Sequence, residues 1–232
     1  MRCLYCAERI IPAISWRDLL AREEEALLCE QCTEKLVPVE GEICARCSRP
    51  FEGLADEFQK GEFCYDCVRW EEDTEWNGIL ERNISLYIYN EFLKEVISRY
   101  KFRGDYVLSK FFGNELKKVL KNLEYELLMP IPLSEVRLYE RGFNQAEALI
   151  VEAGLDHVNA LNRTHSEKQS KKTRKERVGI DNVFIFSNMD HVLGKKVVLV
   201  DDVYTTGSTI MHAARVLKEQ GADSILSITI AR

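Results

Sequence analysis

The stretch Val197-Val198-Leu199-Val200-Asp201-Asp202-Val203-Tyr204-Thr205-Thr206-Gly207-Ser208-Thr209 decides the fold of this 232-residue chain. Its four leading apolar residues predict a β-strand buried on both faces, as strands of parallel sheets are. A small, hydroxyl-rich turn follows, and the amphipathic run Ile210 to Glu219 then predicts a helix that ends at Gly221. A buried strand that leads through a tight turn into a helix predicts an α/β fold with a parallel sheet flanked by helices.

The turn between this strand and helix has the features of an anion site. Five backbone N–H groups can converge there on a phosphate, whose charge the helix dipole favours: those of Thr205, Thr206, Gly207, Ser208 and Thr209. Asp201 and Asp202 precede the turn and can accept hydrogen bonds from sugar hydroxyls, although acids here could also only cap the helix. A phosphate beside vicinal hydroxyls indicates a ribose 5-phosphate. The stretch resembles the phosphoribosyl-pyrophosphate (PRPP) signature of type I phosphoribosyltransferases, which implies catalytic roles for both acids.

The composition is that of a soluble globular protein, with 46% hydrophobic and 30% charged residues. The length allows one medium domain and one small one. No apolar run approaches the roughly 20 residues that a membrane span needs. The segment Met1 to Cys6 also lacks the apolar core of a signal peptide. We therefore expect a cytoplasmic protein without a membrane span.

The net charge of −6 is unevenly distributed along the chain. Residues 1–77 contain 9 Lys and Arg against 18 Asp and Glu, whereas the remainder contains 23 against 20. This asymmetry predicts that a polyanion site lies in the C-terminal part. The acidic run from Glu71 to Glu75 marks the boundary, and we expect Trp70 and Trp76 to pack at the junction.

All eight cysteines lie before residue 68 and form four C-x-x-C pairs: Cys3 and Cys6, Cys29 and Cys32, Cys44 and Cys47, Cys64 and Cys67. Four such pairs supply two tetrahedral sites for structural Zn²⁺, because four thiolates leave no open position for water. Disulfides are disfavoured in a reducing compartment, and a redox motif would be a single pair. Sequential pairing is the simpler arrangement, and an interleaved one remains open. We expect the core of this small module to be separate from that of the C-terminal domain.

Hydrophobic periodicity predicts the order of the other elements. They are a strand over 84–89, a helix after the N-cap Asn90, a helix over 106–121, a strand over 125–131, a helix over 144–153, strands over 158–161 and 183–186, and a last strand over 222–230. The segment that carries Arg137 and Arg141 follows the strand over 125–131 and is interpreted as a loop. In an open α/β sheet this is where ligands bind, so Arg141 is a candidate for pyrophosphate; a solvated loop is the alternative.

Seven basic residues fall between two predicted strands: Arg163, Lys168, Lys171, Lys172, Arg174, Lys175 and Arg177. Such a run is usually only a solvated loop. Seven cations exceed what one pyrophosphate can occupy, which favours contacts along a single-stranded DNA backbone. The candidate nucleic-acid residues are Lys171, Lys172, Arg174 and Lys175.

Five features in this order resemble the ComF family: the cysteine pairs, Tyr100-Lys101-Phe102-Arg103-Gly104-Asp105, Pro130-Ile131-Pro132-Leu133, Arg141-Gly142-Phe143-Asn144-Gln145, and Val200 to Gly207. The resemblance implies a double zinc ribbon, assigned to residues 1–77, and a phosphoribosyltransferase-type (Rossmann-like) domain over residues 78–232. It also implies a role in the uptake and handling of single-stranded transforming DNA during natural transformation. A competence helicase (ComFA) or another competence protein is the implied partner.

Three functions are compatible with these features. The first is a binding module in which PRPP or a related nucleotide occupies the pocket while the protein handles single-stranded DNA. The second is an active, Mg²⁺-dependent phosphoribosyltransferase that transfers ribose 5-phosphate from PRPP to an unidentified acceptor. The third is an adaptor with a vestigial pocket, which the intact Asp201 to Thr209 stretch disfavours. The first is the prediction we adopt.

Overall fold

A computed structural model of the chain describes residues 1–11, 26–163, 183–187 and 192–232. Its elements in chain order are α1 (Glu30–Thr33), β1 (Gln59–Lys60), β2 (Phe63–Cys64), α2 (Tyr65–Glu72), β3 (Arg82–Tyr87), α3 (Glu91–Phe102), α4 (Leu108–Leu120), β4 (Leu127–Pro130), α5 (Glu135–Arg141), α6 (Gln145–Glu152), β5 (Leu161–Arg163), β6 (Phe184–Phe186), β7 (Lys196–Val203), α7 (Ser208–Glu219) and β8 (Ser224–Ala231). A single 3₁₀ turn, Asp56–Phe58, precedes β1. No described helix is long and apolar enough to cross a membrane.

The sheet that organises the molecule has four parallel strands in the order β3-β8-β7-β4. The four apolar residues of β7, Val197 to Val200, are all buried, which confirms the predicted strand. The strand runs further than the apolar residues indicate, because it also includes Asp201, Asp202 and Val203. Since parallel strands end at the same edge of a sheet, the two acids lie where ligands bind in folds of this kind.

Each face of the sheet has its own apolar layer. Val198 and Val200 pack on one side with α3, α4 and α6. Val197 and Leu199 pack on the other side with α7. Cysteines of the N-terminal module belong to both layers: Cys3 and Cys32 to the first, and Cys44, Cys47, Cys64 and Cys67 to the second. The expectation of a separate N-terminal core is therefore wrong: each layer combines residues of both segments.

The four predicted helices are present as α3, α4, α6 and α7, whereas α1, α2 and α5 form where no helix was predicted. Asn90 and Asn144 cap α3 and α6 by accepting hydrogen bonds from the N–H groups of Leu93 (2.8 Å) and Ala146 (3.0 Å). The segment interpreted as a loop forms α5 instead, with Ser134 as its N-cap. Its capping hydroxyl supplies a helix start that the short apolar pattern did not indicate.

A buried polar network fixes the register between β3 and β8. The Asn83 side-chain amide donates to the Ser85 hydroxyl at 2.8 Å, and the Ser227 hydroxyl donates to the Asn83 oxygen at 2.8 Å. The Ser85 and Thr229 hydroxyls are 2.9 Å apart. Ser48 of the N-terminal module joins the network by donating to the Asn83 carbonyl at 2.8 Å. A slip of one residue would leave these buried groups without partners, so the network specifies the pairing.

Two cysteine clusters and a candidate phosphoribosyl site

The eight cysteines form two four-sulfur clusters in sequential order: Cys3, Cys6, Cys29 and Cys32 in the first, and Cys44, Cys47, Cys64 and Cys67 in the second. Within each cluster all Sγ atoms lie within 4.8 Å of one another, and the Cys6–Cys29 and Cys47–Cys64 Sγ distances are both 3.6 Å. Tetrahedral zinc with Zn–S bonds of about 2.3 Å needs sulfurs about 3.8 Å apart. Both clusters therefore fit structural Zn²⁺, and the interleaved arrangement is excluded.

The second cluster is enclosed by protein. Its four cysteines are at most 1% exposed. The N–H group of Cys64 donates to the Cys44 sulfur at 3.2 Å, and the Arg232 guanidinium donates to the Cys47 sulfur at 3.3 Å. Such bonds stabilise thiolate ligands and orient them toward a metal. The cluster is thus tied to Arg232, the residue that follows β8.

The turn after β7 has the geometry of an anion site. Gly207 has φ +81° and precedes α7, and a Cβ atom there would lie 2.2 Å from the Tyr204 hydroxyl. Only glycine fits this position, because both the backbone angle and the Tyr204 ring exclude a side chain. Within the described residues, none accepts a hydrogen bond from the five backbone N–H groups of 205–209. Five donors without an acceptor in the described part of the chain, at the start of a twelve-residue helix, favour a bound anion.

The two acids at the end of β7 differ in their surroundings. Asp202 is 8% exposed and accepts a hydrogen bond from Lys101 Nζ at 2.7 Å, and Arg141 lies 3.9 Å from its second oxygen. Asp201 accepts from the N–H group of Asp202 at 2.9 Å. Burial, followed by the charge of Asp202, raises the pKa of Asp201 to about 7. Asp201 is therefore poised to gain or lose a proton near neutral pH.

Arginines surround this acid pair. Arg141 ends α5, where Gly142 adopts the left-handed conformation, and its guanidinium donates to Gln145 Oε1 at 2.7 Å. Burial lowers the pKa of Arg141 and of Arg163, and the charge of Arg137 lowers both further. Arg163 at the end of β5 stacks over the Phe184 ring at 5.5 Å. The predicted residue Arg141 thus lies beside the predicted acids, within a cluster of cations.

The structure adds three residues to which sequence reasoning gave no role in the site. Lys101, in the segment from Tyr100 to Asp105, donates a hydrogen bond to Asp202. Arg232 donates to the carbonyl groups of Tyr204 and Thr205, but nothing near it in the sequence indicates this. Trp70 packs on Trp76 as expected, with ring centroids 5.1 Å apart, and it also donates a hydrogen bond to the Thr206 carbonyl of the turn. The predicted nucleic-acid residues Lys171, Lys172, Arg174 and Lys175 lie outside the described residues.

The four-stranded parallel sheet, the acid pair and the glycine turn define a phosphoribosyltransferase-type domain joined to a double zinc ribbon. Family models agree: a phosphoribosyl transferase domain matches residues 141–232, and a double zinc ribbon domain matches residues 1–68. The chain is 36% identical to competence protein ComFC of Bacillus subtilis, over 99% of this chain and 94% of the relative. It is 31% identical to competence protein ComFC of Streptococcus pneumoniae, over the full length of both. The chain therefore belongs to the ComFC family of competence proteins.

A shorter similarity concerns only part of the chain. A segment of 38 residues is 50% identical to ribose-phosphate pyrophosphokinase of Methanobrevibacter smithii, which is 16% of this chain and 13% of that protein. The match is too short to describe the whole chain.

Proposed function

We propose that this protein binds PRPP or a related 5-phosphoribosyl nucleotide at the end of β7 and handles single-stranded DNA during natural transformation. The observation that carries the proposal is an acid pair followed directly by a turn whose five backbone N–H groups find no acceptor among the described residues. A competence helicase is the partner that this role calls for. The grouping of all eight cysteines into two clusters that fit Zn²⁺ supports a cytoplasmic location, where thiols persist.

Each part of the site has a role in this proposal. The N–H groups of 205–209 hold the 5-phosphate, and the carboxylates of Asp201 and Asp202 accept hydrogen bonds from the ribose hydroxyls. Arg141 and Lys101 lie beside the acids and are suited to the pyrophosphate. The two carboxylates are the hard oxygen donors that fit Mg²⁺ bound together with PRPP. The metal would neutralise part of the pyrophosphate charge.

A groove along α3 supports the DNA-handling part of the proposal. Phe102, 71% exposed, and Tyr89, 44% exposed, line it together with Lys35 and Lys101. Two glutamates also line the groove, and one of them, Glu91, is paired with Lys94. Exposed aromatic rings alternating with cations are the features that bind single strands, because every base can stack on a ring. The groove extends to Arg141, so it is continuous with the proposed nucleotide site.

The first test measures PRPP binding by titration calorimetry in the presence of Mg²⁺. Replacing both acids, Asp201→Asn with Asp202→Asn, removes two charged acceptors for the ribose hydroxyls. Loss of each is expected to weaken binding by about 10-fold or more. The fold should persist because the pair lies at a strand end.

The matched control for this test is Asp156→Asn, an exposed acid outside the site. It should leave PRPP affinity unchanged. A double variant that melts like the wild type and still binds PRPP with wild-type affinity would refute the ribose role.

The second test concerns DNA and uses the salt dependence of single-strand binding. Replacing Lys171, Lys172, Arg174 and Lys175 with alanine should make the slope of log affinity against log salt shallower by about two to three units. PRPP affinity should change far less. An unaltered slope together with lost PRPP binding would assign these cations to the nucleotide site instead.

The groove is tested separately with Phe102→Ala. Loss of one stacking platform should weaken binding of an oligonucleotide by about 10-fold. The control is Tyr139→Ala, which removes a 91% exposed ring of α5 that does not line the groove. Equal effects of the two substitutions would argue against the groove.

The raised pKa of Asp201 favours a second candidate, turnover of PRPP. A group with a pKa of about 7 can accept the acceptor's proton as the bond from ribose C1 to pyrophosphate breaks and the bond to the acceptor forms. Release of pyrophosphate from PRPP, lost in Asp201→Asn, would identify this activity. Stable binding without release would leave the protein a nucleotide-binding module.

A further inference from the structure

The proposed phosphate-binding turn is held from behind by residues outside it. The indole N–H of Trp70, at the end of the second zinc ribbon, donates to the carbonyl of Thr206 at 2.9 Å. The guanidinium of Arg232 donates to the carbonyls of Tyr204 and Thr205. Three consecutive carbonyl groups of the turn are therefore fixed by two side chains.

Fixing these carbonyl groups also fixes the donors of the turn. In a trans peptide unit the C=O of one residue and the N–H of the next point in opposite directions. Carbonyls of residues 204–206 that face Arg232 and Trp70 therefore direct the N–H groups of Thr205, Thr206 and Gly207 away from these two side chains. These are three of the five donors that the proposed function assigns to the 5-phosphate.

Arg232 extends the connection to the metal cluster. The same guanidinium that holds two carbonyls donates to the Cys47 sulfur at 3.3 Å and lies 5.1 Å from the Tyr204 ring centroid. A Cβ atom added at Gly207 would collide with that ring, so no side chain fits there. One side chain thus links a ligand sulfur of the second cluster to the backbone of the turn.

We propose that Arg232 and Trp70 are positioning residues that orient the phosphate-binding peptides from the second cysteine cluster. Anion affinity at the turn then depends on the second cluster and not on the first. The proposal rests on the function proposed above for its ligand, but the orientation of the turn exists without ligand. The identity of the ligand and the orientation of the turn can therefore be tested separately.

The chain supplies a matched arginine for comparison. Arg215 of α7 lies over the Trp76 ring at 4.9 Å and pairs with Glu75 at 3.4 Å. It therefore crosses the same interface between the second ribbon and α7. No contact of Arg215 with the turn is seen among the described residues. Arg215→Met removes an interface cation and leaves the turn untouched.

The experiment uses the full chain loaded with zinc and the variants Arg232→Met, Trp70→Phe and Arg215→Met. Trp70→Phe keeps a smaller aromatic ring against Trp76 and removes the N–H donor. In the ligand-free protein, backbone amide NMR resonances of 205–207 should shift in the first two variants and stay in place in Arg215→Met. PRPP affinity should fall about 10-fold in Arg232→Met and about threefold in Trp70→Phe, with both zinc ions retained.

The outcomes separate the two proposals. If the wild type binds no PRPP but the resonances shift in Arg232→Met and Trp70→Phe, the proposed ligand is overturned and the positioning role is supported. Unshifted resonances with wild-type affinity in both variants would overturn the positioning role. Equal losses of affinity in Arg232→Met and Arg215→Met would also overturn it, because the effect would then belong to the whole interface.

Discussion

The two cysteine clusters use the same ligands on opposite faces of one sheet, yet they support different structures. Cys6 of the first cluster is exposed, and this ribbon contacts α3, where Arg99 donates to the Tyr5 carbonyl at 2.8 Å and Tyr5 packs on Phe92. The second cluster is fully buried and is linked through Arg232 to the turn after β7. Two clusters that fit the same metal thus lie beside a helical layer on one side and beside a proposed ligand site on the other.

If the proposed positioning role holds, the difference teaches that position, and not ligand type, gives a structural metal its further role. A four-cysteine cluster has no open coordination position, so it can influence a ligand only through the protein around it. On the first face, the structure around the cluster is the packed layer of α3 and α4. On the second face it is the backbone of the turn.

The largest expected effect comes from removing one ligand sulfur of each cluster in turn. Cys67→Ser should lose one zinc and weaken PRPP binding more than 100-fold, because structural zinc contributes about 10 kcal/mol or more to local folding. Cys6→Ser should lower the melting temperature but change PRPP affinity by less than about threefold. Zinc analysis, thermal melts and calorimetry measure the three quantities.

Both variants should retain one zinc ion and the secondary structure of the sheet, which circular dichroism checks. If Cys6→Ser also abolishes PRPP binding, the two faces are coupled as one unit. The comparison drawn above would then fail.

Two glycines provide a contrast of intermediate size. Gly207→Ala places a methyl group against Tyr204, so PRPP affinity should fall by about 10-fold or more while the core stays packed. Gly113→Ala places one 2.8 Å from the Leu149 carbonyl, between α4 and α6. It should destabilise the protein by about 1 to 3 kcal/mol and leave affinity near the wild-type value.

Gly194→Ala is the control for backbone strain, because Gly194 has φ +70° but no atom within 4 Å of an added Cβ. Denaturant unfolding and calorimetry give the two readouts. The reverse pattern would be lost affinity in Gly113→Ala and lost stability alone in Gly207→Ala. It would contradict the assignment of ligand binding to the face with the turn and of stability to the face with α4 and α6.

The smallest effect is a pH dependence confined to the ligand face. The pKa of Asp201 is about 7 in the folded protein and about 3.9 in the unfolded chain. Because the folded state holds this proton more tightly, the free energy of unfolding decreases as the pH rises from about 3.9 to about 7. Asp201→Asn should therefore raise the melting temperature more at pH 8 than at pH 5, by about 2 to 4 °C. The exposed Asp156→Asn should show no such difference, and an equal shift at both pH values would contradict the raised pKa.

Local patterns in the sequence predicted most of the fold. The apolar run of β7, the N-cap residues Asn90 and Asn144, and the amphipathic run of α7 each act within a few residues. Helix α5 was missed because its seven residues bury no side chain, so no apolar periodicity marks it. The cysteine spacing predicted two clusters, but their pairing needed coordinates.

The site was predictable only where its residues are consecutive. Asp201 to Thr209 can be read as one stretch, whereas Lys101 reaches Asp202 from a different helix. Arg232 and Trp70 contact the turn across 27 and 136 residues of sequence, and both do so through backbone carbonyls. Backbone acceptors leave no mark in a sequence, so no pattern could have indicated these contacts.

The pairing of β3 with β8 has a consequence for how the protein is made. Partners such as Asn83 and Ser227 are 144 residues apart, so the sheet cannot close until the last strand has left the ribosome. The second cluster is complete once Cys67 has been synthesised, on the order of 10 to 30 seconds earlier at typical elongation rates. Throughout that interval Trp76 and Leu80, which later join its apolar layer, lack the helix that covers them. We therefore expect zinc available during translation, rather than zinc added afterwards, to determine how much of the chain reaches its native form.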